Sequence, residues 1–492
     1  MKVLLLYPEF PDTFWSFKHA LRFIRKKATL PPLGLLTVAA MLPPAWEKRL
    51  VDLNVAELQE ADLAWADCAL VSAMVVQREA ARALIARCKG AGLRVIAGGP
   101  LFTGEPEQFP EVDHLVLNEA ELTLAPFLAD WAAGRTKRVY TSDEYADLEQ
   151  TPVPLWGLVD LQRYASMCLQ YSRGCPYDCD FCNVTTLLGH RPRIKTPAQV
   201  LAELDRLYVL GWRKKIFFVD DNLIGNKKAL KNDLLPALVA WQCGKERLAF
   251  YTEASVNLAD DDELMQLMAQ AGFDMVFIGI ETPDEQGLAE CNKKQNTGRD
   301  LVETVKRIHR AGLQVQAGFI VGFDSDTLSI FQRQIEFIQQ SGIVTAMVGL
   351  LQAPPGTRLY ERLKREGRLL GQMSGDNADG STNIIPAMNL EVLREGYRKI
   401  MGHIYAPEHH YQRIRTFLRE YRPLGAGPPF EREHFMAFWR ALYHLGIRCR
   451  GRFHYWRLLL WTFCHRPRQL PLAVTLSIYG YHFRRVSQTH IS

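Results

Sequence analysis

What most constrains this chain is a strand signature that recurs at near-regular intervals and comes in two series. Aliphatic and β-branched runs appear at KVLLLYP (2–8), KRLVDLN (48–54), CALVSAMV (68–75), LRVIAGGP (93–100) and HLVLNEA (114–120), with helix-length segments between them. Parallel neighbours need a crossover, usually helical, so this alternation predicts a doubly wound, Rossmann-like parallel sheet. A second series starts at MCLQYSRGC (167–175) and continues through KIFFVDDN (215–222), LAFYTEASVN (248–257), MVFIGIET (275–282), LQVQAGFIVGF (313–323) and VTAMVGLL (344–351). Six units at roughly 30-residue spacing suit a partial (βα)6, TIM-like barrel, in which functional residues gather at the C-terminal strand ends.

The expected organisation is therefore α/β: a Rossmann-like domain over 1–135, a polar, proline-bearing linker over 136–165, a barrel over 166–370, and a helical, basic and aromatic extension over 371–492, broken at PLGAGPP (423–429). With 48% hydrophobic and 23% charged residues the chain is not of the disordered class. No apolar stretch reaches the roughly 18 residues of a membrane span, and Met1 leads directly into a strand pattern, so a cytoplasmic protein is expected. Ten cysteines without regular spacing do not form a secreted disulfide framework.

Three of those cysteines fall within eight residues: RGCPYDCDFCN sets Cys175, Cys179 and Cys182 in a C-x3-C-x2-C spacing directly after a strand. Soft thiolates gathered on one loop suit an iron–sulfur cluster or zinc. A structural zinc site wants a fourth ligand, and the nearest candidate, His190, is eight residues on. Three ligands leave one iron of a cluster open. Structural zinc and plain reduced cysteines stay as alternatives at this point.

The spacing, with the aromatic Phe181 before the third cysteine, resembles the radical S-adenosylmethionine (SAM) superfamily. The resemblance implies that the three cysteines bind three irons of a [4Fe–4S] cluster and that SAM chelates the fourth. Reduction by a flavodoxin- or ferredoxin-type donor would then cleave SAM to a 5′-deoxyadenosyl radical, which abstracts hydrogen from an unactivated carbon. Further motifs follow in the family's order. FVDDN (218–222), carrying Asp220, Asp221 and Asn222, occupies the position that holds the methionyl amine, in place of the Gly-Gly-Glu of many relatives. Glu253 ends the third strand, and GIETP (279–283) with Glu281 ends the fourth. GFIVGF (318–323), with Gly318 and Gly322, resembles the glycine motif that packs against adenine, and LQAPPGT (351–357) resembles the sixth-strand motif. Singly, a strand-end acid is as readily a helix cap and a glycine only close packing; their joint order carries the reading. No acid or base is singled out, although Tyr251, Glu253 and Met347 point into the barrel mouth by strand position.

A doubly wound sheet ahead of such a core resembles the cobalamin-binding subclass. Ser72 and the pair Gly98 and Gly99, 26 residues on, match that family's spacing for groups along the cobalamin nucleotide tail. Residues 8–32 lack the D-x-H-x-x-G motif of methionine-synthase-type domains, and His19 has no flanking Asp and Gly, so no protein histidine is expected as lower axial ligand. Similarity through FVDDNLIGNKKA, FYTEASVNLADD, GFDSD and SGDNADG looks like the subfamily with a C-terminal helical extension that includes hopanoid C-2 methylases. It implies a class B, cobalamin-dependent methyltransferase acting on an unactivated carbon of a hydrophobic, lipid-like metabolite. Cyclisation or rearrangement using cobalamin without methyl transfer is the alternative. A zinc-stabilised RNA- or membrane-binding protein is the third reading.

The net charge of +5 hides an asymmetry: residues 411–492 hold 14 Arg, no Lys, three Glu and no Asp, a balance of +11 against −6 for the rest. Within 450–485, Trp456, Trp461, Tyr479 and Tyr481 among arginines suit an anionic membrane surface. A helical cap with its arginines in water fits equally. Nucleic acid fits less well, because Lys is absent and the aromatics lie among aliphatics.

Overall fold

A computed structural model of the chain describes residues 1–423 and 432–490. Most of the PLGAGPP break thus lies outside the described residues. The first sheet is built from β1 (Lys2–Tyr7), β2 (Glu47–Asp52), β3 (Cys68–Ser72), β4 (Arg94–Gly98), β5 (His114–Val116) and β6 (Val139–Tyr140). All are parallel, in the order β2-β1-β3-β4-β5-β6. The order reverses between β1 and β3, and the crevice at such a switch point is where open α/β sheets bind ligands. Val3, Leu4, Leu5 and Leu6 are fully buried because helices cover both faces, which is why these strands read as continuous apolar runs.

The second sheet begins with β7 (Met167–Leu169), followed by a small antiparallel ribbon of β8 (Ser172–Arg173) and β9 (Arg193–Ile194). It continues with β10 (Ile216–Phe218), β11 (Phe250–Glu253), β12 (Phe273–Glu281), β13 (Gln314–Val321) and β14 (Ala346–Leu350), parallel and in sequence order from β7 to β14. Six strands do not close a barrel, so β7 and β14 are edges that must be covered. Residues 13–31 cover them. The Ser166 amide donates to the Thr29 carbonyl at 2.9 Å and the Cys168 thiol to that of Pro31 at 3.5 Å beside β7. On the β14 side the Trp15 indole donates to the Met347 sulfur at 3.0 Å.

That covering segment leads into α1 (Lys18–Ile24), which lies against the C-terminal helices. These are α2 (Leu390–Ile404), α3 (Pro407–Glu420), α4 (Arg432–Ala441, continued by a π-helical turn at Leu442–Arg448), α5 (Arg452–His465) and α6 (Leu470–His490). Phe14 stacks on Phe483 of α6 at 4.0 Å, tying the first and last elements together.

Two parts of the expected organisation need correction. Residues 136–165 are not a free linker: Val139–Tyr140 pairs with β5, and Leu148, Trp156 and Tyr164 are buried. A two-residue strand gives no periodicity to read. Helix begins at Leu390 and not near 371, because 371–389 is an irregular crossing between the two sheets' functional ends, held by Gly375 against Val75 and Val76 and by Arg78 donating to the Met373 carbonyl at 3.0 Å. Among the described residues no helix is long and apolar enough to cross a membrane.

Candidate active site

The cysteine loop leaves β8 through Gly174, whose φ of +93° and close approach to the carbonyls of Gly189 and Arg191 admit no side chain. The Cys175 amide donates to Gly189 at 3.2 Å, and the Cys182 amide to Cys179 at 3.0 Å, so the three thiols share one tight loop. Neighbouring strand-to-helix loops pin it: Asp180 donates its amide to Cys291, Asn292 reaches the Asp178 carbonyl at 2.7 Å, and Arg358 pairs with Asp178. All three cysteines are half-buried and in no disulfide. Burial pushes the Cys182 thiol up to about 12 and raises that of Cys175.

The donor set fits a cluster. Two side-chain amides aim at sulfur, Asn222 Nδ2 at Cys175 (3.9 Å) and Gln295 Nε2 at Cys179 (3.7 Å), the contacts that tune bound thiolates. Among the described residues no three His, Cys, Asp or Glu side chains converge as a single metal ion requires. A cluster asks each sulfur for a different iron.

The second-strand triad divides. Asp220 is fully buried and its carboxylate is spent on Ser172 and on the Tyr171 amide at 3.1 Å. It therefore shapes the β7-to-cysteine turn and does not face a ligand, contrary to the sequence expectation. Asn222 also turns away from the expected amine role, holding Ser255 with its oxygen (3.2 Å) and facing Cys175 with its nitrogen. Asp221 and Glu253 remain. Neither carboxyl has a side-chain partner among the described residues, and burial, with mutual repulsion at Glu253, pushes them up to about 6 and about 8. Two desolvated carboxyls thus stand near the cysteine loop without a side-chain partner among the described residues.

Glu281 sits at a bulge with φ +65° and accepts from Lys293 at 2.7 Å, while Lys293 lies 5.9 Å from the Phe181 ring centroid. A Cβ at Gly318 would lie 3.0 Å from the Phe277 ring and 3.5 Å from the Met347 methyl, and the Gly322 amide donates to Asp326 at 2.7 Å. Trp15 meets Phe277 edge-on at 5.3 Å, so the barrel lumen is apolar on this side. Tyr251 stacks on Phe217 at 4.6 Å, a layer below Glu253.

On the first sheet, Ser72 and Gly99 come together: a Cβ at Gly99 (φ +92°) would lie 2.5 Å from the Ser72 hydroxyl. His19 lies on α1 and faces Asp12 and His482. The two functional edges are bridged twice, by the 373–376 crossing described above and by a buried ionic clamp. Glu119 accepts from Arg173 (3.0 Å), Arg193 (2.8 Å) and the Ala146 amide (2.6 Å), and Glu121 accepts from Arg173 (2.9 Å) and Thr151 (2.8 Å). Sequence reading missed the partners of Arg173, and it missed Lys293 and Gln295, which belong to no motif.

Comparison with known proteins agrees with this layout. The B12 binding domain family matches residues 23–128, the Radical SAM superfamily residues 169–338, and a domain of unknown function, DUF4070, residues 357–492. An uncharacterized methyltransferase of Synechocystis sp. is 41% identical over 98% of this chain and 91% of its own length. The hopanoid C-2 methylase of Rhodopseudomonas palustris is 34% identical over 93% of this chain and 89% of its own. In fold, the chain is similar to the radical SAM methyltransferase TsrM of Kitasatospora setae, solved with cobalamin and a [4Fe–4S] cluster (TM-score 0.59, 16% identity, 93% of this chain and 98% of that one). With these matches the zinc-protein reading falls, and the cofactors are a [4Fe–4S] cluster, SAM and cobalamin. The chain belongs to the cobalamin-binding radical SAM family, among its hopanoid C-2 methylase-like methyltransferases.

Proposed function

We propose that this methyltransferase acts on an unactivated carbon of a hydrophobic, lipid-like metabolite and works at the surface of a membrane. The observation that carries the substrate reading is the apolar side of the lumen formed by Trp15, Phe277 and Met347, which offers a hydrophobic substrate a surface to pack on. Cys175, Cys179 and Cys182 hold the cluster, with Asn222 and Gln295 donating to sulfur. Asp221 and Glu253 stand where the methionyl end of SAM would lie and accept hydrogen bonds from its amine. Lys293 holds Glu281, and Gly318 and Gly322 keep the strand-end surface flat for adenine. Ser72, Gly98 and Gly99 line the nucleotide tail of cobalamin. When bound, the cluster with SAM supplies a carbon radical and cobalamin a transferable methyl group. Within this reading the cobalamin-binding unit runs past residue 135 to take in Val139–Tyr140, and the helical extension begins at Leu390.

The test is the product set: methylation yields S-adenosylhomocysteine and 5′-deoxyadenosine in step with a methylated compound in lipid extracts of the producing strain, absent from a deletion strain. Deoxyadenosine without S-adenosylhomocysteine means cyclisation or rearrangement instead. A second expectation concerns cobalt. Because residues 8–32 carry no D-x-H-x-x-G motif and His19 is engaged with Asp12 and His482, electron paramagnetic resonance of the cob(II)alamin-loaded chain is expected to be unchanged by nitrogen-15 labelling of histidine. A changed nitrogen splitting refutes it.

A further inference from the structure

Of the twenty large hydrophobic side chains that are exposed among the described residues, nine lie between 435 and 463. They are not scattered. On α4 and its π-helical continuation, Phe435, Trp439 and Ile447 recur at helical spacing; on α5, Phe453, Trp456, Leu460 and Phe463 do the same. The opposite faces are buried: Ala441 and Leu445 on the first helix and Tyr455, Leu458 and Leu459 on the second lie in the same cluster as α3 and α6, and Ala437 is buried one turn before Ala441. Trp456 joins the two exposed stripes, its indole donating to the Gly446 carbonyl at 3.0 Å. Monomeric proteins rarely leave so continuous an apolar surface without an occupant.

Charge selects the occupant. From His434 to the C-terminus the sequence has no Asp or Glu. Arg448, Arg450, Arg452, Arg457 and Arg468 are exposed around the hairpin and form no ion pair among the described residues. Arg448 and Arg452 lie beside Tyr443 and Phe453, with their charges at the rim of the aromatic face. A second copy of the chain, joined through the same face, would bring arginine against arginine. A stacking platform for RNA would not interleave Ile447 and Leu460 with its rings. An anionic bilayer meets both demands, taking the aromatic face into its interface and the arginines among its head groups. We propose that the outer face of this hairpin, residues 435–468, docks the enzyme on an anionic lipid bilayer without crossing it.

This corrects where the sequence placed the surface. Tyr479 and Tyr481 pack inward against Phe17 and Phe23, and Trp461 stacks on His465. The docking face also connects to the barrel. Arg440 of α4 donates to the Phe23 carbonyl of α1 at 2.6 Å, and the turn before α1 carries Trp15 into the lumen. The proposal rests on the membrane-surface reading above and gives it a face and a lipid charge.

The test is flotation of the reconstituted full chain with vesicles of phosphatidylcholine alone or mixed in equal parts with phosphatidylglycerol. Wild type is expected to float with the mixed vesicles, less so at high salt, and to ignore phosphatidylcholine alone. Phe453→Glu/Phe463→Glu should weaken flotation about tenfold or more, and Arg450→Glu/Arg457→Glu should abolish its dependence on anionic lipid, each with iron content and cobalamin absorbance unchanged. Equal flotation of wild type and both variants overturns the proposal. So does a concentration-dependent dimer, or RNA binding, that the same substitutions remove in place of vesicle binding. Turnover of a detergent-dispersed lipid by a variant that no longer floats leaves the substrate reading standing; flotation by an enzyme that methylates only water-soluble compounds leaves docking standing without it.

Discussion

Replacing Cys175, Cys179 or Cys182 singly by Ala is expected to abolish SAM cleavage while leaving cobalamin binding largely intact. The expectation follows from where the side chains stand. Each thiol is half-buried, in no disulfide, and contributes little to the core, so an alanine removes a ligand without opening a large cavity. The loop itself is held by backbone bonds of Cys175, Asp180 and Cys182 and by the Arg358 and Asn292 contacts, which survive the change. Wild type reconstituted anaerobically should bind about four irons and four sulfides per chain, and each variant markedly less. The cobalamin absorbance of the variants should match wild type, because Ser72, Gly98 and Gly99 belong to the other sheet. Simultaneous loss of iron and cobalamin would mean that the two halves of the site fold as one. Retained iron with retained SAM cleavage in any variant would remove that cysteine from the ligand set.

How much of this was legible in the sequence follows from which interactions are local. The strands of both sheets were readable because burial on both faces makes each a run such as VLLL at 3–6 or VFIGI at 276–280, bounded by turn residues. The cysteine loop was readable because its ligands are close in sequence. Val139–Tyr140 was not, since two residues carry no period and only the neighbouring β5 makes them a strand. Asp220 and Asp221 looked equivalent on paper. Alternation sends one towards the Tyr171 turn and the other into the lumen, and only the fold decides which. Gln295 and Lys293 reach the cysteine loop from a strand-to-helix turn more than a hundred residues away in sequence. The exposed stripe on α4 and α5 was hidden for another reason. Its helices have apolar residues on both faces, so hydropathy alone could not say which face meets water.

The same non-local logic applies to the ionic clamp, where Glu119→Gln is expected to loosen the junction between the two sheets. Glu119 is 5% exposed and shares two guanidinium groups, both themselves largely buried. Removing one partner of such a pair strands the other charge, a loss on the order of 3 kcal/mol, at the lower end because Arg173 keeps Glu121 and Arg193 keeps some contact with water. A chain with several cores does not unfold in one step, so the effect belongs in local amide exchange. Protection should fall at Ala146, whose amide donates to Glu119, and along the β8–β9 ribbon. Arg193→Met should lose less on top of Glu119→Gln than it does alone, the non-additivity of groups in direct contact. Acid should act on the same junction. Burial alone would raise the Glu121 carboxyl, but its bonds to Arg173 outweigh that and hold it below the ordinary value. Its contribution is therefore complete above the ordinary carboxylate pKa of about 4.3 and is lost as pH falls through the depressed one. Unchanged exchange in Glu119→Gln, or strict additivity with Arg193→Met, would show that the 373–376 crossing alone fixes the cobalamin-binding sheet over the cysteine loop.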